Sequence, residues 1–138
     1  MMKKAKIVLI EDNPADVLLV KEALRDHGIF HSLTHFESGR EAVLTLCKKD
    51  EEDETPPDAI LLDLNTPRSD GFAVLAKLKQ TPHLAGVPIA VFSSSRSRTD
   101  KHRAAINGAR YIEKPSQLQS FLATVGTAVK EMLAASAA

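Results

Sequence analysis

Four short stretches carry side chains that could do chemistry together. They are Glu11 and Asp12 in "IEDN", Asp63 and Asn65 in "ILLDLN", the hydroxyl run Ser93, Ser94 and Ser95, and Lys114-Pro115 in "IEKP". Three carboxylates brought into one crevice raise one another's pKa unless a cation joins them. A hard ion with oxygen ligands suits them; Mg²⁺, with Mn²⁺ as a substitute, takes carboxylates together with phosphate oxygens and retained waters. Zinc would call for His or Cys ligands. His27, His31 and His35 stand four apart, but Gly28 and the strand-like "SLTHF" deny them a shared helix. Lys114 offers a mobile point charge of the kind that binds phosphate, and the Ser93 hydroxyl can donate to a phosphoryl oxygen. Anion donors and metal-binding acids around one aspartate suit phosphoryl transfer, where catalysis is largely positioning plus charge neutralisation. Asp63 is then the candidate nucleophile, forming an aspartyl phosphate.

These residues converge only if the elements before them end side by side. Ile7–Ile10, Ala59–Leu64 and Pro88–Phe92 are apolar runs of the sort buried on both faces of a parallel sheet. "SLTHF" and "RYIE" read as two further strands. Helices fall between them. Asn13 is a suitable N-cap, Pro14 a suitable first helical residue and Asp16 adds charge to the first turn, with Val17, Val20 and Leu24 facing inward. Gly28 stops that helix. "GREAVLTLCKK" forms a second helix with Ala42, Val43, Leu46 and Cys47 on one face, and Phe72–Lys79 a third with Phe72, Leu75 and Leu78 inward. Thr99–Asn107, closed by Gly108, is a fourth. A fifth starts near Gln117, with Leu118, Phe121, Leu122, Val125, Val129, Met132 and Leu133 at helical spacing. Strict alternation predicts an α/β fold: an open five-stranded parallel sheet, doubly wound with five helices and right-handed crossovers. Ligands in such sheets sit outside the carboxyl ends of the strands, where the strand order reverses. The quoted residues occupy those ends.

Composition narrows the function classes. The 138 residues suit one domain spanning the chain, and the 18 Lys and Arg balance 18 Asp and Glu. A balanced chain has no general field to draw in nucleic acid or anionic lipid. The N-terminal apolar run ends after about four residues at two acids, too short for a secretion signal or a membrane span. Cys47, the single cysteine, reads as a small apolar residue in a reducing compartment. A cytoplasmic protein is expected. "DEEDETPP" reads as a solvated loop, and "RSRTDKHR", from Arg96 to Arg103, as a solvated helix face that could contact a partner together with Arg110.

Taken in order, "IEDN", "LLDLNTPRSDG", "VFSSS" and "YIEKP" resemble the receiver domain of two-component response regulators. The resemblance runs from Lys6 to about Leu133. It implies a flavodoxin-like strand order 2-1-3-4-5 and a phosphoryl group accepted on Asp63 from a histidine kinase or histidine phosphotransfer partner. It also implies Mg²⁺ held by Glu11, Asp12, Asp63 and the backbone carbonyl of Asn65. Ser93 resembles the switch hydroxyl, Lys114 the lysine that pairs with the phosphoryl group, and Tyr111 the aromatic that changes rotamer, with Ser94 and Pro115 in support. The Lys114-Pro115 bond is expected to be cis, and Asp70-Gly71 to start the third helix. "EDNPADVLLVKEAL", the acidic insertion and the Ser run resemble the stand-alone receivers that partner bacterial phytochromes. Such a receiver signals by binding a downstream protein, its kinase or a second copy of itself, with no output domain and no catalysis beyond its own phosphorylation and dephosphorylation.

Two other classes have a sequence signal. "DLNTP" is similar to the strand-end motif of haloacid-dehalogenase-like phosphatases, but Asn65 stands where their second acid would fall. A purely structural interaction module is the other, and the full set of Glu11, Asp12, Asp63, Ser93 and Lys114 counts against it.

Overall fold

A computed structural model describes residues 3–48, 55–66 and 70–137. Its five strands are β1 (Ala5–Ile10), β2 (His31–Phe36), β3 (Ala59–Asp63), β4 (Ile89–Ser93) and β5 (Arg110–Glu113), and all pair in parallel. Helices α1 (Pro14–Asp26), α2 (Gly39–Leu46), α3 (Gly71–Gln80), α4 (Arg98–Ile106) and α5 (Leu118–Ala137) alternate with them. The sheet order is β2-β1-β3-β4-β5, as expected.

Each central strand buries both faces, which is why β3 and β4 read as unbroken apolar runs. Successive residues point to opposite sides of the sheet. On one side Ile7, Leu9, Leu61, Phe92 and Ile112 pack against Val17, Val20 and Leu24 of α1 and Phe121, Val125 and Val129 of α5. Phe92 and Phe121 meet edge to face, with ring centres 5.8 Å apart. On the other, Val8, Ile10, Ile60, Leu62 and Val91 pack against Ala42 of α2, Val74, Leu75 and Leu78 of α3 and Ala104 of α4. Pairing Ile10 with Leu62 and Asp63 with Phe92 brings the ends of β1, β3 and β4 level.

The helix starts follow the local sequence. Asn13 Oδ1 accepts from the backbone N–H groups of Ala15 and Asp16, and Pro14 opens α1. Asp70 caps α3 in the same way through the N–H of Phe72. Gly28 and Gly108 lie just past α1 and α4 with φ of 64° and 71°, a left-handed conformation that closes a helix at low steric cost.

Four expectations change. Leu118 is 53% exposed because it is the first residue of α5, so Phe121 is the first to reach the core. Phe72 is only half-buried, and Val74 takes the deeper position. A single 3-10 turn, Pro82–Leu84, was not expected; it buries Leu84 against the α3 side. No cis peptide bond occurs among the described residues, so Lys114-Pro115 is trans, the isomer that X-Pro bonds favour by about 0.5–1 kcal/mol. Lys114 Nζ nevertheless reaches Glu11, Asp16 and Asp63 with the bond trans. Asp50 to Glu54 of the acidic insertion lie outside the described residues.

Candidate functional site

The alternation that builds the two apolar layers also sorts the polar residues at the strand ends. Continuing β1 past Leu9, β3 past Leu61 and β5 past Ile112 by two residues gives Glu11, Asp63 and Lys114, all on the α1–α5 side. They meet there. Lys114 Nζ lies 2.8 Å from Glu11 Oε1 and 3.4 Å from Asp63 Oδ2. Phe92, of the same layer, lies under the ammonium, its ring centre 5.4 Å from Nζ. Asp12 is exposed, whereas Glu11 and Asp63 are buried; each of the three offers an oxygen within 4.8 Å of the others.

The turn after β3 orients the aspartate. The Asn65 N–H donates to Asp63 Oδ1 at 2.9 Å, and its side-chain Nδ2 donates to Ser93 Oγ at 3.2 Å. Ser93 is buried at the end of β4, and its Oγ also accepts from the Ser95 N–H at 3.0 Å. The Lys114 N–H donates to the Ser93 carbonyl at 2.8 Å and ties the start of the lysine loop to β4. Tyr111 is half-buried, and its hydroxyl donates to the Ser95 carbonyl at 2.7 Å. Ser94 is exposed and Pro115 half-buried beside these groups.

Charge in this crevice is lopsided. Burial, together with a hydrogen bond to Asp63, pushes Glu11 up to about 8, and Lys114 pulls against that shift. Burial works to lower Lys114, but hydrogen bonds to Asp16 and Glu11 outweigh it and hold the ammonium above its ordinary range. The oxygen-only donor set of buried Glu11 and Asp63 and exposed Asp12, faced by one lysine, fits a hard divalent cation, which would offset the excess negative charge.

Asp16 is the member that sequence reasoning missed. Its Oδ2 lies 2.8 Å from Lys114 Nζ, as close as Glu11. A charge in the first turn of a helix is its local role; the available signal for more was its place in the first turn of a helix that begins only two residues after Asp12. His35 Nε2 also lies 2.6 Å from the Glu11 carbonyl oxygen. His27, His31 and His35 do not form a joint site: His31 Nδ1 contacts the Ile29 carbonyl and His27 packs on Gly126. Asn65, where a phosphatase of the alternative class would need its second acid, binds Ser93 instead.

Among the described residues, no helix is long and apolar enough to cross a membrane. The family model for the response regulator receiver domain matches residues 7–126. The response regulator Rcp1 of Synechocystis is 41% identical over 95 residues, which is 68% of this chain and 65% of that protein, just under two thirds of its length. A probable methanogenesis regulatory protein, FilR2 of Methanothrix harundinacea, is 31% identical over 120 residues, covering 86% of this chain and 77% of its own. The crystal structure of the phosphorylated cyanobacterial phytochrome response regulator RcpA superposes with a TM-score of 0.85 at 34% identity, over 95% of both chains. That of Mn²⁺-bound Rcp1 gives 0.82 at 34% identity, over 94% of both. With this fold and the matched residues spanning β1 to α5, the chain belongs to the response regulator receiver domain family.

Proposed function

We propose that Asp63 accepts a phosphoryl group from the phosphohistidine of a histidine kinase or phosphotransfer protein, and that the resulting change is read by a protein partner in the cytoplasm. The observation that carries this reading is the buried Asp63 carboxylate at the end of β3, lying between an acidic pair and the Lys114 ammonium. An Asp63 oxygen attacks phosphorus and the P–N bond breaks; its electron pair passes to the imidazole nitrogen, and because the other ring nitrogen of the phosphohistidine carries a proton, the ring leaves as neutral histidine. The Asn65 N–H fixes the carboxylate plane for that attack. Glu11, Asp12, Asp63 and the Asn65 carbonyl would hold Mg²⁺, or Mn²⁺ in its place, which supplies charge neutralisation around the transferring group.

Ser93 accepts both of its described hydrogen bonds, from Asn65 and Ser95, so its O–H is the donor for a phosphoryl oxygen. Lys114 supplies the second contact. Drawing Ser93 inward disturbs the loop whose Ser95 carbonyl holds the Tyr111 hydroxyl, so Tyr111 reports the phosphorylated state to the surface of α4 and β5. Ser94 and Pro115 shape the two loops involved. Likeness to RcpA and Rcp1 over nearly the whole of each chain supports a receiver acting as a single domain, with a phytochrome kinase as donor. The basic α4 face with Arg110 is the surface for a downstream protein or a second copy.

Incubating the wild type and Asp63→Asn with Mg²⁺ and a small acyl phosphate, and following intact mass, tests the assignment. A labile single-phosphate gain confined to the wild type is expected. Equal labelling of the folded mutant refutes Asp63.

A further inference from the structure

Lys114 has three N–H donors, and an acceptor oxygen from each of three carboxyl groups faces them: Glu11 and Asp16 at 2.8 Å and Asp63 at 3.4 Å. The lysine is therefore fully engaged before any phosphoryl group arrives. A phosphoryl oxygen on Asp63 recruits it only by lengthening or displacing an existing contact. Glu11 and Asp63 belong to the cluster whose oxygens lie within 4.8 Å of one another, and a cation there draws on those oxygens; Asp16 is outside it. Its hold on the lysine is the one that ion binding leaves intact. Asp16 is also well fixed, because its backbone N–H joins the Asn13 cap and its side chain is only 20% exposed.

We propose that Asp16 is a positioning residue: it holds Lys114 toward α1 in the resting site and sets how readily a phosphoryl group on Asp63 captures the ammonium. The inference rests on the reading of Asp63 as phosphoacceptor. Its consequence is a link between the first turn of α1 and the loop after β5, which are 98 residues apart in the chain. That link is tight at rest and loosened when the lysine turns to the phosphoryl group.

The test compares wild type with Asp16→Asn, a near-isosteric change that removes the charge. Beryllofluoride with Mg²⁺ serves as a phosphoryl mimic, and binding is followed by calorimetry. Without the competing carboxylate, the variant binds about three- to tenfold more tightly, the range for losing part of one charge-assisted hydrogen bond. A second readout is solvent exchange of the Lys114 ammonium hydrogens, measured by ¹⁵N NMR. Exchange is faster than wild type in the resting variant and matches wild type in the beryllofluoride complex. A general field effect of the lost charge would change affinity while leaving resting exchange as in wild type, and that result overturns the proposal. Unchanged or weaker beryllofluoride binding also overturns it. If the wild type itself fails to bind beryllofluoride, the Asp63 reading falls, and this inference with it.

Discussion

Glu11 gives the site a pH dependence that can be worked out from its surroundings. Its carboxyl is pushed from 4.5 up to about 8 by burial and by Asp63 beside it. A divalent ion needs the deprotonated form, so below about pH 8 every binding event must expel a proton. Each unit of pH below that value weakens apparent affinity about tenfold, and the fall between about pH 8 and pH 6 amounts to roughly 50-fold. Titrating Mg²⁺ by calorimetry in two buffers of different ionisation enthalpy counts the released proton directly. Close to one proton per ion is expected at about pH 6, and close to none well above pH 8. The single tyrosine, Tyr111, in a chain without tryptophan gives an independent fluorescence signal for the same titration. Glu11→Gln should bind the ion weakly, with proton release largely gone. Affinity that stays flat over this range in the wild type, with no proton released, would refute the account of Glu11 as a buried and protonated ligand.

Other outcomes follow from the same geometry. Without a divalent ion, the folded state binds the Glu11 proton more tightly than the unfolded chain does. Its stabilising contribution is full below the unfolded value and is lost as pH rises through about 8, so thermal melts in chelator should fall over that window and recover with Mg²⁺. Gly71→Ala places a Cβ 2.6 Å from the Leu64 Cα and 2.7 Å from its carbonyl oxygen, so a loss of about 2–3 kcal/mol is expected in urea melts. Asn13→Ala removes the α1 cap and should cost about 1 kcal/mol by the same assay. Leu118→Gln should stay within about 0.5 kcal/mol of wild type, whereas Leu122→Ala should lose about 2–4 kcal/mol.

Particular residues show what could be read from the chain alone. The parallel sheet was legible because strands covered on both faces must be apolar throughout, as Ile60 to Leu62 are, and because Asn13-Pro14 and Gly28 punctuate α1. Glu11, Asp63 and Ser93 were legible for the same reason: each is the polar residue that ends a buried run. Lys114 follows a strand in which only Ile112 is buried, and it was legible from the "YIEKP" stretch in its order among the other motifs. Asp16 was not. Its partner lies at the far end of the chain, and a first-turn acid already has a sufficient local explanation in the helix dipole. Leu118 fitted the helical period of α5, but period says nothing about whether the first turn extends past the sheet it covers. The trans Lys114-Pro115 bond was not legible, because an X-Pro isomer is fixed by tertiary surroundings that the residue types do not display.

The alternating layers have a consequence for length variation. Ala59, Leu61 and Asp63 share one side of β3, and Ile60 and Leu62 the other. Deleting one residue before Asp63 would carry the aspartate to the α3 side, away from Glu11 and Lys114, while exchanging the two apolar sets between layers. Because both sets are aliphatic, such a deletion would retain much of the packing and still separate Asp63 from Glu11 and Lys114. A change of length in a loop leaves these faces as they are, but a central strand tolerates length changes only in steps of two residues.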